Sequence, residues 1–321
     1  FPSHRRRCWP DKGRDSSGRW RVFQIRTRAP VFRRSLDAEA HASAILIATG
    51  LRICAQSCRK TTHALLEKIN LEHSPRRAAD QRFPDVTEAM IEREQLHRQG
   101  YALLRDAIPG NWLADLRAIF DANVQASEHW PVPRGMDWRH SLLDLDATVQ
   151  AVCRLPQVLT VAGELIGERF FLSQVEGREP LAGGGHQQLH RDLSIQRPGD
   201  MVNAIAFFDD YGPDNGATRI VPGSHRPSPQ QPPFDPNDET AVVQLSGTAG
   251  DILLFDVDLL HAGSRNVNGA RRRSILINYC AQALYRTQLE TAGLRGVRMD
   301  TREQFDPASL QQARQMAATR I

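Results

Sequence analysis

The sequence contains few cysteines and no long apolar run. Its five cysteines among 321 residues are odd in number and include no C-x-x-C pair. This argues against a disulfide framework and predicts a reducing, cytoplasmic compartment. The most apolar stretch, ASAILIATGL, ends before Arg52 and is too short to span a bilayer. With 24% charged and 40% hydrophobic residues, the chain has the composition of a globular protein that has no membrane partner.

Basic residues are concentrated at the start of the chain. Residues 1–34 hold eleven Lys or Arg and two acids, whereas the rest holds thirty basic and thirty-five acidic side chains. Such an arm is compatible with nucleic-acid or membrane binding, or with an organelle transit peptide. It has no steady period, however, and the chain starts at Phe1 with its first methionine at Met90. We therefore expect residues 1–80 to lie outside the folded unit, residues 81–321 to form the domain, and nucleic acid not to be a partner.

From about residue 84 the pattern becomes regular. DVTEAMIEREQLHRQG and NWLADLRAIFDANVQA have helical spacing, DATVQAVCRLPQVLTVAGELIG predicts helix interrupted at Pro156, and DPASLQQARQMAATR predicts a final helix. Between them, short strands alternate with turns rich in glycine, proline and asparagine. The predicted strands are RFFLSQV, HQQLHRDL, MVNAIAFFDD, ATRIVP, AVVQLS, DILLFD and RRSILINYC. This pattern predicts a mainly β protein with flanking helices, either a sandwich or a jelly roll.

One predicted strand carries His190 and Asp192, two residues apart. Side chains at that spacing project from one face of a strand, so both can ligate one metal ion. The pair alone favours a histidine that is hydrogen-bonded to an acid. His261, just after the predicted strand DILLFD, changes the balance, because in a jelly roll that strand can run beside His190. Two histidines and one carboxylate form the facial triad of non-haem Fe(II) oxygenases. His186 and His225 fit this arrangement less well, and we interpret them as structural or surface residues.

Three consecutive arginines open the segment RRRSILINY. They could form a solvated strand edge. A buried arginine, however, offers a bidentate fork to a carboxylate, which an Fe(II) enzyme that consumes a keto-dicarboxylate needs. Alternation along the strand does not choose among them. Arg271 and Arg273 share one face with Ile275, and Arg272 shares the other with Ser274.

The combination and order of four segments resemble the phytanoyl-CoA dioxygenase family of Fe(II)/2-oxoglutarate oxygenases. The segments are HRD, DNGATRIVPGSH, GDILLFDVDLLHAGSRN and RRRSILINY, and the resemblance runs from about Phe83 to Tyr279. It implies a double-stranded β-helix, of the jelly-roll and cupin-like kind, that uses Fe(II), 2-oxoglutarate and O2. The residues that the resemblance implies are His190, Asp192 and His261 as iron ligands, Arg272 as the 2-oxoglutarate arginine, and Gln187, Gln188 and Thr218 as further contacts of 2-oxoglutarate. Family spacing favours Gln187, whereas strand alternation favours Gln188.

The resemblance also implies an activity, the hydroxylation of a small organic molecule with release of succinate and CO2. Asp192 favours hydroxylation or desaturation, because halogenases of this type have Gly or Ala at that position. Two alternatives are a cupin-like metal enzyme that does not use 2-oxoglutarate and a catalytically silent jelly-roll binding protein. Arg272 argues against the first and the intact triad against the second. The substrate pocket is expected to involve the 127–140 loop with Trp130 and Trp138, the 226–240 loop, and Arg191, Arg219 and Arg265.

Overall fold

The computed structural model of the chain describes residues 86–226, 235 and 237–318. The predicted domain boundary near residue 80 and the interpretations of the basic arm lie outside these residues. Most of the predicted 226–240 pocket loop lies outside them as well. All of these stay predictions.

Six α-helices flank the sheets within the described ranges. The first helix is followed by Gly100, which adopts a φ of +82°, as a glycine after a helix commonly does. Pro156 occupies the first turn of the fourth helix, where a missing N–H costs no hydrogen bond. The fifth helix is not predicted by the sequence, because YRTQLETAGLR has no clear apolar stripe. The helices are α1 (Val86–Gln99), α2 (Leu113–Ala122), α3 (Ala147–Val152), α4 (Pro156–Ile166), α5 (Tyr285–Arg295) and α6 (Pro307–Ala318).

Ten strands of the described chain form two antiparallel sheets. They are β1 (Tyr101–Leu104), β2 (Val124–Gln125), β3 (Trp138–Ser141), β4 (Phe170–Pro180), β5 (Met201–Phe207), β6 (Thr218–Ile220), β7 (Val243–Gln244), β8 (Ile252–Asp256), β9 (His261–Gly263) and β10 (Ser274–Ala281). The large sheet has the order β1-β8-β5-β10-β4-β3-β2, and the small sheet has the order β7-β6-β9. The prediction of a mainly β jelly roll with flanking helices is confirmed.

Alternate residues of the central strands divide the large sheet into two faces. Ala204 on β5 and Ile277 on β10 lie on one face, in the main core with apolar side chains of the helices. Phe207 and Phe255 lie on the opposite face, in a second cluster that includes Ile220 of the small sheet. Polar side chains on that second face therefore point into the space between the two sheets, where a site can form.

The segment HQQLHRDL does not form the regular strand that its sequence predicts. The Gln187 N–H donates to the Gly263 carbonyl at 3.0 Å, and His190 and His261 exchange two backbone hydrogen bonds of 3.0 Å. Between these points one side has a residue more than the other, which is the geometry of a β-bulge. The extended run ends at Leu193, which has a φ of +66°. Strand alternation is therefore not valid across this segment.

Gly177 of β4 lies in a tightly packed part of the large sheet. A Cβ atom at this position would lie 2.7 Å from the Ser141 Cβ and 2.9 Å from the Phe120 Cε2. We expect Gly177→Ala to lower the free energy of unfolding by about 1–3 kcal/mol, because overpacking a filled core strains it. Urea unfolding measures this effect. The control is Gly110→Ala, whose Cβ would meet nothing within 4 Å and which we expect to change stability by less than about 0.5 kcal/mol.

Candidate metal centre

Three potential metal ligands converge between the two sheets. His190 and Asp192 lie in the irregular segment after β4, and His261 begins β9. The His190 Nε2 lies 3.8 Å from one Asp192 carboxylate oxygen, and the His261 Nε2 lies 3.7 Å from the other. One ligand atom from each residue lies within 4.8 Å of those of the others, and no other group of this kind occurs in the described part of the chain. The structure thus brings His261 to the pair His190 and Asp192, which precedes it by about seventy residues in the sequence.

Backbone carbonyls fix the orientation of both imidazole rings. The His190 Nδ1 lies 2.9 Å from the Gln188 carbonyl, and the His261 Nδ1 lies 2.9 Å from the Leu259 carbonyl. A carbonyl oxygen only accepts, so each Nδ1 donates its proton to the carbonyl, and each Nε2 lies on the side of Asp192. Such carbonyl partners are typical of metal-ligating histidines. Burial also lowers the pKa of His261, which favours its neutral form.

Asp192 is held by a chain of buried amide side chains. The Asn203 Nδ2 donates to the Asp192 Oδ2 at 2.6 Å, and the Asn278 Nδ2 donates to the Asn203 Oδ1 at 2.7 Å. The Ser173 hydroxyl donates to the Asn278 side-chain oxygen, and the Cys280 thiol lies 3.1 Å from the Ser173 Oγ. Each donor in this chain points towards the carboxylate, which leaves the Asp192 Oδ1 free to face a metal.

Arg272 is a buried cation that lines the same cavity. Only 2% of its surface is exposed, its Nη1 donates to the Tyr211 hydroxyl, and its Nε has no partner. The guanidinium carbon lies 4.4 Å from the centroid of the Tyr211 ring and 5.5 Å from that of Trp138. Burial lowers the pKa of Arg272. A buried guanidinium that forms no ion pair with the described carboxylates is suited to bind an anion, since a buried charge is costly until it is paired.

The two neighbouring arginines have acidic partners outside the cavity. Arg271 pairs with Glu179 and Asp121, and Arg273 pairs with Asp209 through two guanidinium nitrogens, at 2.8 and 2.9 Å. Strand alternation did not show which of the three arginines faces the cavity, and their contacts in the folded sheet do. Arg272 projects into the cavity, whereas the arginines on either side stabilise the surface.

The three predicted 2-oxoglutarate contacts differ in position. Gln187 and Thr218 line the cavity, and the Gln187 Oε1 accepts a hydrogen bond of 2.9 Å from the Gly263 N–H. The Gln188 side chain is exposed, and only its carbonyl contacts His190. The β-bulge explains this, because the extra residue puts Gln187, three residues before His190, on the His190 side.

The cavity has a volume of about 70 Å³ and a mixed lining. Besides the triad and Arg272, it is lined by Trp138, Arg178, Gln187, Asn203, Ile205, Tyr211, Thr218, Phe255, Ala262, Gly263, Ser274 and Leu276. Arg178 and Asn203 line the cavity, but neither was predicted from the sequence. A signal for Arg178 was present, because Gln174, Glu176 and Arg178 place three polar side chains on one face of β4.

The three arginines that were predicted from their charge to line the pocket lie elsewhere. Arg191 contacts the backbone carbonyls of Asp258 and Ser224, Arg219 donates to the Gln187 carbonyl at 2.6 Å, and Arg265 donates to the Gly183 carbonyl. These three arginines are absent from the cavity lining, as is Trp130, whose ring packs against His140. Of the predicted loop, Trp138 alone reaches the cavity, and it does so from strand β3.

Other chemistry has little support in the described residues. Cys153 and Cys280 are free and buried, and burial raises the pKa of each thiol to about 12. Neither thiol is therefore poised as a nucleophile. Within the described ranges, no helix combines the length and the apolar character needed to cross a bilayer.

Comparison with known proteins identifies relatives of this arrangement. The model of the family described as "Phytanoyl-CoA dioxygenase (PhyH)" matches residues 96–274. Dioxygenase af480 of Aspergillus fumigatus is 30% identical over 143 residues, which cover 43% of this chain and 46% of that protein. The Fe(II)/2-oxoglutarate-dependent dioxygenase nvfF of Aspergillus novofumigatus is 35% identical over 101 residues, which cover 28% of this chain and 32% of that protein. The chain thus spans less than half the length of each of these two relatives.

A solved structure agrees with the fold. The non-heme alpha ketoglutarate dependent epimerase SnoN from nogalamycin biosynthesis superposes with a TM-score of 0.50 at 19% sequence identity. The superposition covers 61% of this chain and 84% of that chain. At this level of identity the likeness concerns the fold alone.

Proposed function

The chain belongs to the phytanoyl-CoA dioxygenase family, and we propose that it is an Fe(II)- and 2-oxoglutarate-dependent dioxygenase that hydroxylates a small organic molecule. The observation that carries the proposal is the convergence of His190, Asp192 and His261, whose ligand atoms lie within 4.8 Å of one another. Two neutral imidazoles and one carboxylate on one side of an ion suit Fe(II) and leave positions open for other ligands. The three residues therefore fit the metal that the family name implies.

In this proposal each polar residue of the cavity has a separate task. His190, Asp192 and His261 hold the metal, and Arg272 binds the distal carboxylate of 2-oxoglutarate as a guanidinium fork. Gln187 and Thr218 border the space between these two points, where they can donate hydrogen bonds to the same molecule. With O2, the bound iron and 2-oxoglutarate supply the oxidising power for C–H hydroxylation, and 2-oxoglutarate leaves as succinate and CO2.

Apolar side chains complete the cavity. Trp138, Ile205, Phe255 and Leu276 line it between the metal-binding residues and Arg272. They limit the access of water to the reacting groups and strengthen the ionic contacts of Arg272, because charges interact more strongly where water is excluded. In this proposal the protein positions the substrates and excludes water.

The test is succinate formation by the purified protein with Fe(II), 2-oxoglutarate and O2, first alone and then with a panel of metabolites. We expect slow succinate release without substrate and faster, coupled release with a substrate of the panel. Fe(II) uptake without any consumption of 2-oxoglutarate would favour the cupin-like metal enzyme. A protein that takes up neither iron nor 2-oxoglutarate would favour the silent binding protein and refute the proposal.

Asn203 allows a test of the metal site that does not depend on turnover. Asn203→Leu removes the hydrogen bond that holds the Asp192 Oδ2 at 2.6 Å and keeps a side chain of similar size. We expect the affinity for Co(II), measured by titration calorimetry without O2, to fall by about tenfold or more, as for other groups that orient metal ligands. Ser173→Ala is the graded comparison, because its hydroxyl contacts Asn278, further from Asp192 in the same chain of hydrogen bonds, and we expect a smaller loss of affinity than in Asn203→Leu. Equal affinity of Asn203→Leu and the native protein would contradict the proposed role of Asn203 in orienting Asp192.

A further inference from the structure

We propose that Arg178 binds a carboxylate of the primary substrate, so that the enzyme acts on a carboxylic acid. This inference rests on the proposed function and specifies its substrate class. Arg178 lies two residues before the end of β4, opposite Ser274 of β10 and His140 of β3. It lines the same cavity as the triad, and 34% of its side chain is exposed.

The guanidinium of Arg178 has donors to spare. Its Nε lies 3.4 Å from the Glu176 Oε1, and the described residues provide no hydrogen-bond partner for its two Nη atoms. A guanidinium carries five N–H donors in a planar fork that suits a carboxylate. The Nη side of Arg178 therefore remains available to a ligand in the cavity.

Glu176 does not neutralise Arg178, because its carboxylate is shared. Its Oε1 also accepts from the His140 Nδ1 at 2.7 Å, and its Oε2 accepts from the Arg134 Nη2 at 3.2 Å and from the Gln174 Nε2 at 3.1 Å. Burial raises the pKa of Glu176, but Arg178, the His140 hydrogen bond and Arg134 outweigh it and lower the pKa to about 2. One ionised carboxylate thus serves two guanidinium groups, which leaves a net positive charge beside the cavity.

The remaining charges of the proposed site balance without Arg178. A doubly charged metal and Arg272 are matched by Asp192 and the two carboxylates of 2-oxoglutarate. With both cofactors bound, the cluster of Arg178, Arg134 and Glu176 still contributes a positive charge at the cavity, and a monoanionic substrate compensates it. A neutral substrate leaves this charge unpaired.

The register separates Arg178 from the proposed 2-oxoglutarate arginine. Arg178 lies opposite Ser274, and Glu176 lies opposite Leu276. Because the Arg178 Nε bonds Glu176, its side chain is directed along β10 towards Leu276, whereas Arg272 precedes Ser274. The two guanidinium groups thus suit two different carboxylates, one of 2-oxoglutarate and one of the substrate.

The proposal is tested with a panel of aliphatic and aromatic monocarboxylic acids, each matched with its primary carboxamide. Binding is measured as the rise in unfolding temperature with Mn(II) and 2-oxoglutarate without O2, and turnover as substrate-stimulated succinate release with Fe(II). We expect acids, and not their amides, to produce both effects in the native protein. In Arg178→Gln the KM for the best acid should rise by roughly tenfold to a hundredfold, because hydrogen bonds between ionised partners are lost. Arg178→Lys, which keeps the charge but not the fork, should lose less.

The control variant is Arg139→Gln, and four outcomes would contradict one of the two proposals. Arg139→Gln removes an exposed arginine of the neighbouring strand that pairs with Glu179, and it should behave as the native protein does. A tenfold loss of 2-oxoglutarate affinity in Arg178→Gln would overturn the proposal, because Arg178 would then contact the co-substrate. Amides as effective as acids, or a native protein that responds to no acid, would overturn it as well. A native protein that never converts 2-oxoglutarate would refute the proposed function itself, a result separate from these.

Discussion

Replacing His190 by alanine is expected to abolish both metal binding and 2-oxoglutarate turnover. The remaining pair, Asp192 and His261, provides one imidazole and one carboxylate, too few ligands to hold a labile ferrous ion at micromolar concentration. We expect succinate release to fall by roughly a thousandfold or more, since the oxidising chemistry comes from the metal centre rather than from protein groups. Equilibrium dialysis with Fe(II) under anaerobic conditions and succinate quantification measure the two effects.

The matched control for this variant is four residues away. His186 is exposed and lies at the start of the same irregular segment, so His186→Ala should keep the iron content and turnover of the native protein. Unfolding temperature without metal distinguishes loss of a ligand from loss of the fold. A His190→Ala protein that retains stoichiometric iron would exclude the triad as the metal site and with it the proposed reaction.

The three candidate ligands could be named from the sequence because His261 and the order of the neighbouring segments resemble the dioxygenase family, whereas the His190–Asp192 pair alone did not identify a metal site. His190 and Asp192 stand two apart, and His261 follows a strand that a jelly roll can place beside them. The backbone that carries the pair could not be predicted, because a β-bulge depends on the partner strand. That is why strand alternation preferred Gln188, whereas the structure places Gln187 at the cavity.

Arg178 and Asn203 were missed for a different physical reason. Each lies in a strand, and the sequence of a strand indicates only which of its two faces a residue occupies. Whether that face borders the candidate metal site depends on which strands are neighbours in the sheet. In the large sheet, β10 lies between β4 and β5, and this order places both strands beside the site. The three consecutive arginines show the same limit. Alternation separated Arg272 from its neighbours, and only the acidic partners Glu179 and Asp209 in the folded sheet identify the two that remain outside.

Arg272→Leu is expected to produce the second large effect, a loss of 2-oxoglutarate affinity of roughly thirtyfold to a thousandfold, as removal of one partner of a buried charge pair does. The reason is the isolation of this guanidinium. It is 2% exposed and is held by the Tyr211 hydroxyl and two rings, so in the proposed function the distal carboxylate of 2-oxoglutarate would supply its missing counter-ion. Anaerobic titration with Mn(II) present measures the dissociation constant directly.

The same variant should not be less stable than the native protein when no ligand is present. A buried cation without a counter-ion destabilises a fold, and an apolar side chain at this position removes that cost. We therefore expect ligand-free Arg272→Leu to unfold no more easily than the native protein.

At a concentration one hundred times its native dissociation constant, 2-oxoglutarate should stabilise the native protein by about 2.7 kcal/mol, and a variant with hundredfold weaker binding by about 0.4 kcal/mol. Arg271→Ala and Arg273→Ala lose only contacts with acids outside the cavity, and should show the full stabilisation by ligand. If these two variants lost the ligand effect and Arg272→Leu kept it, the carboxylate would bind at the surface of the sheet rather than between its two layers.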